Sequence, residues 1–155
     1  MQRIRVTKEF SFEMAHALSN YDGHCRHVHG HSYKLFVTVI GVPISDVNHP
    51  KLGMVIDFGE LKKIVNSEII ERYDHALVLA ENDKTKAIYE MLESNFGKVK
   101  LVDYQPTCEN MISRFATAIS TKLPSNVELH SLKLHETATS YAQWFAEDNV
   151  LEIKK

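Results

Sequence analysis

The sequence predicts an α+β domain in which an antiparallel β-sheet carries helices on one face. Three features predict it. Two long stretches near the start alternate apolar and polar residues, two later stretches repeat apolar residues at helical spacing, and short alternating segments close the chain. With 155 residues, 44% of them hydrophobic, the chain is expected to form one domain and to bury roughly 70% of its unfolded surface.

Charge and composition exclude several functions. Lys+Arg number 18 and Asp+Glu 20, a net charge of -2, so there is no basic field to hold nucleic acid or an anionic membrane. An anionic substrate must therefore be met by local charges. Arg3, Arg5, Lys8, Glu9 and Glu13 interrupt the first segment, unlike a signal-peptide core, and no stretch reaches the ~20 apolar residues of a membrane span. The expectation is a soluble, cytoplasmic protein. Two cysteines, one inside a histidine cluster, do not suggest a disulfide framework. Cys25 reads as a working thiol.

In chain order, Ile4, Val6, Phe10, Phe12, Met14 and His16 share one parity and Arg3, Arg5, Thr7, Glu9, Ser11 and Glu13 the other, a half-buried strand with Lys8 as its lone break. A turn-rich loop, Ser19-Asn20-Tyr21-Asp22-Gly23, precedes a second strand over Ser32 to Val42, whose parity carries back through His31 to His29. Asp57 can cap a helix of roughly 13 residues along Leu61, Ile64, Val65 and Ile69, with Glu60 reaching back as in a capping box. Asp74 and His75 follow that helix, where His75 either complements the helix's negative end or is oriented by Asp74 for proton transfer. Residues 81–105 read as an elaboration with a short amphipathic helix and a short extended segment. Thr107 then caps a helix carrying Met111, Ile112, Phe115, Ala116 and Ile119, in whose first turn Glu109 suits the helix dipole. A strand over Val127 to Glu136, another over Ser140 to Phe145 and a charged tail complete the chain. Glu136 shares parity with Leu132 and Leu134. A carboxylate on that side is a candidate ligand-binding group unless the strand end lies at the surface.

Four of the nine histidines fall in the eight residues His24-Cys25-Arg26-His27-Val28-His29-Gly30-His31. On a strand, His29 and His31 lie on one face with Cα atoms roughly 6.5–7 Å apart, and antiparallel pairing brings His16 against them. Three neutral imidazoles favour zinc, although ligand type alone leaves copper and nickel open. Three protein ligands leave a fourth position free, as in catalytic zinc sites. The rival arrangement makes Cys25 the fourth ligand and closes the site as a structural one.

These residues carry a family resemblance. His16 after Phe12-Glu13-Met14-Ala15, Cys25-Arg26-His27-Val28-His29-Gly30-His31, Val55-Ile56-Asp57-Phe58, Asp74-His75, Pro106-Thr107-Cys108-Glu109-Asn110 and Glu136-Thr137 occur in an order that resembles the 6-pyruvoyltetrahydropterin synthase and 6-carboxytetrahydropterin synthase family over most of the chain. The resemblance implies the tunnelling fold (T-fold), an oligomeric barrel assembled as a homohexamer from two trimers, with active sites between subunits. It implies Zn2+ on His16, His29 and His31, a proton-transfer set of Cys25, Asp74 and His75, and a pterin anchored by Glu136 with Thr107 and Glu109 beside it. The implied substrate is 7,8-dihydroneopterin triphosphate, whose phosphates have Arg26 and Lys34 among their candidate partners.

Three residues separate Cys25 from His29, a spacer that resembles the bacterial 6-carboxytetrahydropterin synthases of queuosine biosynthesis. Those enzymes release acetaldehyde and triphosphate. The alternatives are the pyruvoyl-forming synthase, which resembles a longer spacer, and a non-catalytic, zinc-stabilised pterin-binding module. Residues 44–53 and 81–105 make this chain longer than the compact bacterial members.

Overall fold

The structure, a computed structural model, describes residues 1–149. The last residues of the charged tail lie outside the described residues. Six strands form one sheet in the order β4-β3-β1-β2-β5-β6. The strands are β1 (Ile4–Ala17), β2 (His29–Gly41), β3 (Ala76–Ala80), β4 (Val99–Val102), β5 (Val127–His135) and β6 (Tyr141–Phe145).

The alternation in β1 and β2 does what its period demands. Phe10, Phe12, Met14 and His16 are buried on one face of β1, and Tyr33, Leu35, Val37 and Val39 on the same face of β2 are each 0% exposed. The strands pair antiparallel from Ile4 opposite Gly41 to His16 opposite His29. Strand β2 begins at His29 rather than Ser32, so both of its histidines are strand residues. That register fixes the site, because a slip of one residue would turn the histidines to the other face.

The sheet is mixed rather than wholly antiparallel. Strand β3 runs parallel to β1 and β4 parallel to β3. Parallel neighbours need a crossover of a dozen or more residues, and α3 (Asp83–Phe96), within the segment read as an elaboration, supplies it between β3 and β4. Strand β5 pairs antiparallel with β2, with a bulge at Thr38/Val39, and β6 pairs antiparallel with β5.

The helix after Asp57 is longer than its periodicity predicts. It comprises α1 (Phe58–Val65), a π-helical turn over Asn66–Ile70 and α2 (Glu71–Tyr73). Asp57 caps it by accepting the Gly59 N–H at 2.6 Å. The expected capping box does not form, because the Glu60 carboxylate instead accepts from Lys51 Nζ at 2.6 Å. Thr107 caps α4 (Cys108–Ser120) by accepting the Asn110 N–H, as its position predicts.

Helices α1 and α4 close one face of the sheet. Leu61, Val65 and Ile69 join Met111, Ile112, Phe115 and Ile119 in a continuous core with the inner residues of β1, β2 and β5. Phe115 meets Phe12 and Tyr73 edge-on, with centroids 6.2 and 5.0 Å away. In contrast, α3 buries no residue. Among the described residues, no helix is long and apolar enough to cross a membrane. Leu35→Ala, which empties a fully buried position, is expected to lower the unfolding free energy by about 2–5 kcal/mol in urea denaturation.

Candidate metal centre and active site

The strand register places three imidazoles around one point. One ring nitrogen from each of His16, His29 and His31 lies within 4.8 Å of the other two. Ring centroids are separated by 4.6 Å (His16–His29), 5.2 Å (His16–His31) and 4.9 Å (His29–His31). His16 is 1% exposed.

Backbone carbonyls fix the tautomers of two of these rings. His16 Nδ1 lies 2.7 Å from the carbonyl oxygen of Pro106, and His29 Nδ1 lies 2.7 Å from that of His27. A carbonyl can only accept, so each Nδ1 must carry its hydrogen. In the neutral rings both Nε2 atoms then present lone pairs, and these face each other at 3.1 Å. His31 Nε2 is buried with no hydrogen-bond partner. Burial is the main force holding His16 and His31 below the usual imidazole range, with the neighbouring His29 adding to it, so the rings are neutral at pH 7.

Two facing lone pairs beside a buried, unpartnered third ring nitrogen are unfavourable unless a cation takes them. Tetrahedral zinc, about 2.0–2.1 Å from each nitrogen, spaces its ligands roughly 3.4 Å apart. The residues therefore fit the ion. The carbonyls that orient His16 and His29 are the outer support such ligands require.

Cys25 sits in a 3-10 turn (His24–Arg26) just before β2 and is half-buried. Its sulfur is not part of the close nitrogen group. Cys108, the other cysteine, is buried, and its thiol donates to the Leu134 carbonyl at 3.3 Å. Burial pushes that thiol up to about 11.

Glu136 follows the last residue of β5 and turns its carboxylate toward the tripod. Its Oε1 accepts from the Tyr33 hydroxyl at 3.3 Å and lies 3.7 and 3.8 Å from Nε2 of His16 and His31. The side chain is 28% exposed, so it borders a cleft rather than sitting sealed in the core. The start of α4 lies alongside, since Pro106, which holds His16, immediately precedes the cap Thr107. Glu109 is exposed in the first turn of that helix.

Asp74 and His75 join the end of α2 to β3. His75 Nδ1 is 3.0 Å from Asp74 Oδ2, and the His75 side chain is 77% exposed. Asp74 Oδ1 accepts the Glu13 N–H at 2.9 Å, while the His75 N–H donates to the Glu13 carbonyl at 2.6 Å. The Glu13 contact, reinforced by His75, holds the Asp74 carboxyl below its ordinary range. His75 has φ +58°, a left-handed conformation uncommon outside glycine. Lys98 Nζ donates to the carbonyls of Glu71 and Asp74 at 2.6 and 2.9 Å. Lysine, not His75, thus satisfies the helix end. The cleft that His75 lines also takes in Glu13, Gly30, His31 and Ser32. Among the described residues no hydrogen bond joins Asp74 or His75 to the three histidines, although His31 and His75 border one cleft.

The sequence reading missed the carbonyls of Pro106 and His27 and the contributions of Glu13 and Lys98. Backbone groups leave no mark on side-chain periodicity, and Lys98 lies in a segment with no chemical pattern.

The family model for 6-pyruvoyl tetrahydropterin synthase matches residues 5–147. The chain belongs to that family. Among relatives of this pterin synthase family, the 6-carboxy-5,6,7,8-tetrahydropterin synthase of Haemophilus influenzae is 36% identical over 142 residues, covering 91% of this chain and 98% of its own. The protein of the same name from Rickettsia conorii is 32% identical over 143 residues, covering 90% and 99%. The 6-pyruvoyl tetrahydropterin synthase of Caenorhabditis elegans superposes with a TM-score of 0.64 at 23% identity, covering 94% of this chain and 96% of its own. An uncharacterized protein from Wolinella succinogenes gives 0.73 at 20% identity, covering 94% and 99%. These neighbours share the T-fold, a curled mixed sheet with helices on one face.

Two outcomes test the site. Purified protein should retain about one zinc per chain by elemental analysis, and His16→Ala or His31→Ala should weaken zinc affinity by more than about tenfold. Iodoacetamide at pH 8 should modify Cys25 in the folded protein and leave Cys108 unmodified, as mapped by peptide mass.

Proposed function

We propose that this chain is a zinc-dependent 6-carboxy-5,6,7,8-tetrahydropterin synthase, a lyase converting 7,8-dihydroneopterin triphosphate to 6-carboxytetrahydropterin, acetaldehyde and triphosphate in queuosine and 7-deazapurine biosynthesis. The observation that carries this reading is a three-nitrogen tripod left open by Cys25, with Glu136 turned toward it. The names of the relatives from Haemophilus influenzae and Rickettsia conorii support the carboxy-forming branch over the pyruvoyl-forming one.

The residues divide the work. His16, His29 and His31 hold zinc, which when bound lowers the pKa of substrate hydroxyls and stabilises charge developing beside them. Glu136 accepts from adjacent N–H and amino donors of the pterin, a two-point contact that sets the ring so its side chain reaches the tripod. Thr107 and Glu109, at the start of α4, flank that ring. Cys25 acts as a thiolate base on one face of the side chain. His75, oriented by Asp74, gives or takes the second proton.

The exposure of the His75 side chain, 77%, supports an active site completed by another subunit. An exposed pair held by Glu13 and Lys98 is suited to reach a neighbour's substrate, and the assembly is a homohexamer built from two trimers.

Product analysis tests the reaction. Incubation with 7,8-dihydroneopterin triphosphate should yield 6-carboxytetrahydropterin and acetaldehyde by mass, whereas 6-pyruvoyltetrahydropterin as sole product would overturn the assignment. Cys25→Ala should keep zinc and its melting temperature while losing at least about a hundredfold in kcat, the scale of a lost acid–base group. Loss of zinc in that variant would favour the non-catalytic module.

A further inference from the structure

Tyr33 lies two residues beyond His31 on the inner face of β2 and is 0% exposed. Its ring stacks on Phe12 at 5.1 Å and meets the rings of His16 and His31 edge-on at 6.3 and 5.6 Å. A phenylalanine would make these ring contacts equally well. The hydroxyl therefore needs its own explanation, because a buried hydroxyl is costly unless it is paired.

Among the described residues its hydrogen-bond partner is Glu136, whose Oε1 accepts at 3.3 Å. That oxygen is also the carboxylate atom closest to the tripod, 3.7 Å from His16 Nε2 and 3.8 Å from His31 Nε2. One phenol thus joins the strand that carries two of the three imidazoles to the carboxylate assigned to the pterin. We infer that Tyr33 is a positioning residue for substrate recognition, its hydroxyl holding Glu136 in the orientation that fixes the pterin ring relative to the three histidines. This rests on the reading of Glu136 as the pterin anchor.

Two features make the contact suited to that task. A phenol, with an ordinary pKa of about 10, keeps its proton at neutral pH and remains a donor. An ionised carboxylate offers about four acceptor positions, so one bond from Tyr33 leaves the others for the ligand. The turn beyond β5 holds the backbone, with the N–H groups of Glu136 and Thr137 both donating to the Ser140 carbonyl at 3.1 and 3.2 Å. Among the described residues, no other side chain hydrogen-bonds the Glu136 carboxylate.

Tyr33→Phe, Glu136→Gln and the double variant, each loaded with zinc, provide the test. The readouts are zinc content, the Kd for 7,8-dihydroneopterin by fluorescence, and KM and kcat for its triphosphate. Tyr33→Phe should retain one zinc per chain, raise Kd and KM about tenfold, equivalent to about 1.4 kcal/mol, and change kcat less than KM. The double variant should bind no more weakly than Glu136→Gln alone, since Tyr33 acts through that carboxylate. Wild-type Kd and KM in Tyr33→Phe, additive losses in the double variant, or loss of zinc with affinity would each overturn the inference. Wild-type affinity in Glu136→Gln would instead overturn the reading of Glu136 as the anchor.

Discussion

Two backbone carbonyls organise the candidate centre. By taking the Nδ1 hydrogens of His16 and His29, the carbonyls of Pro106 and His27 leave the two Nε2 lone pairs facing each other at 3.1 Å. The buried Nε2 of His31, without a hydrogen-bond partner, lies beside them. A packed interior does not tolerate that arrangement for its own sake. It suits a cation, and the carbonyl contacts that orient His16 and His29 hold it in place.

The sheet carries this constraint. Every pair from Ile4–Gly41 to His16–His29 must be in register for the histidines to meet, and the fully buried run Tyr33, Leu35, Val37 and Val39 enforces that register by its alternation. Helix α4 packs its apolar stripe over the same face, so its entry at Pro106 arrives beside His16. The same packing delivers the candidate metal ligands, the pterin-binding candidates and the Cys25 turn to one end of the core. Asp74 and His75 are held to β1 through Glu13 and to Lys98, the residue before β4.

Much of this was legible in the residues. Period-two alternation in β1 and β2 is unambiguous, and it put His16, His29 and His31 on one face. The caps Asp57 and Thr107 were legible because a short acceptor side chain before an apolar helical stripe has a definite local job. The parallel pairing of β3 and β4 was not, since residues 76–80 and 99–102 are too short to reveal direction and only the α3 crossover decides it. The π-helical turn at Asn66–Ile70 does not disturb the apolar spacing of Leu61, Val65 and Ile69, so periodicity conceals it. Glu60 matched the capping-box pattern, yet Lys51 offered a charged partner from a distant loop. Tyr33 showed only as one more apolar-face residue, because what distinguishes it is the position of Glu136, 103 residues away.

X-ray absorption at the zinc edge of the substrate-free protein tests the central claim most directly. The account predicts three imidazole nitrogens at about 2.0–2.1 Å, with light-atom scattering alone in the first shell. A sulfur shell near about 2.3 Å, showing Cys25 bound to the ion, would contradict it.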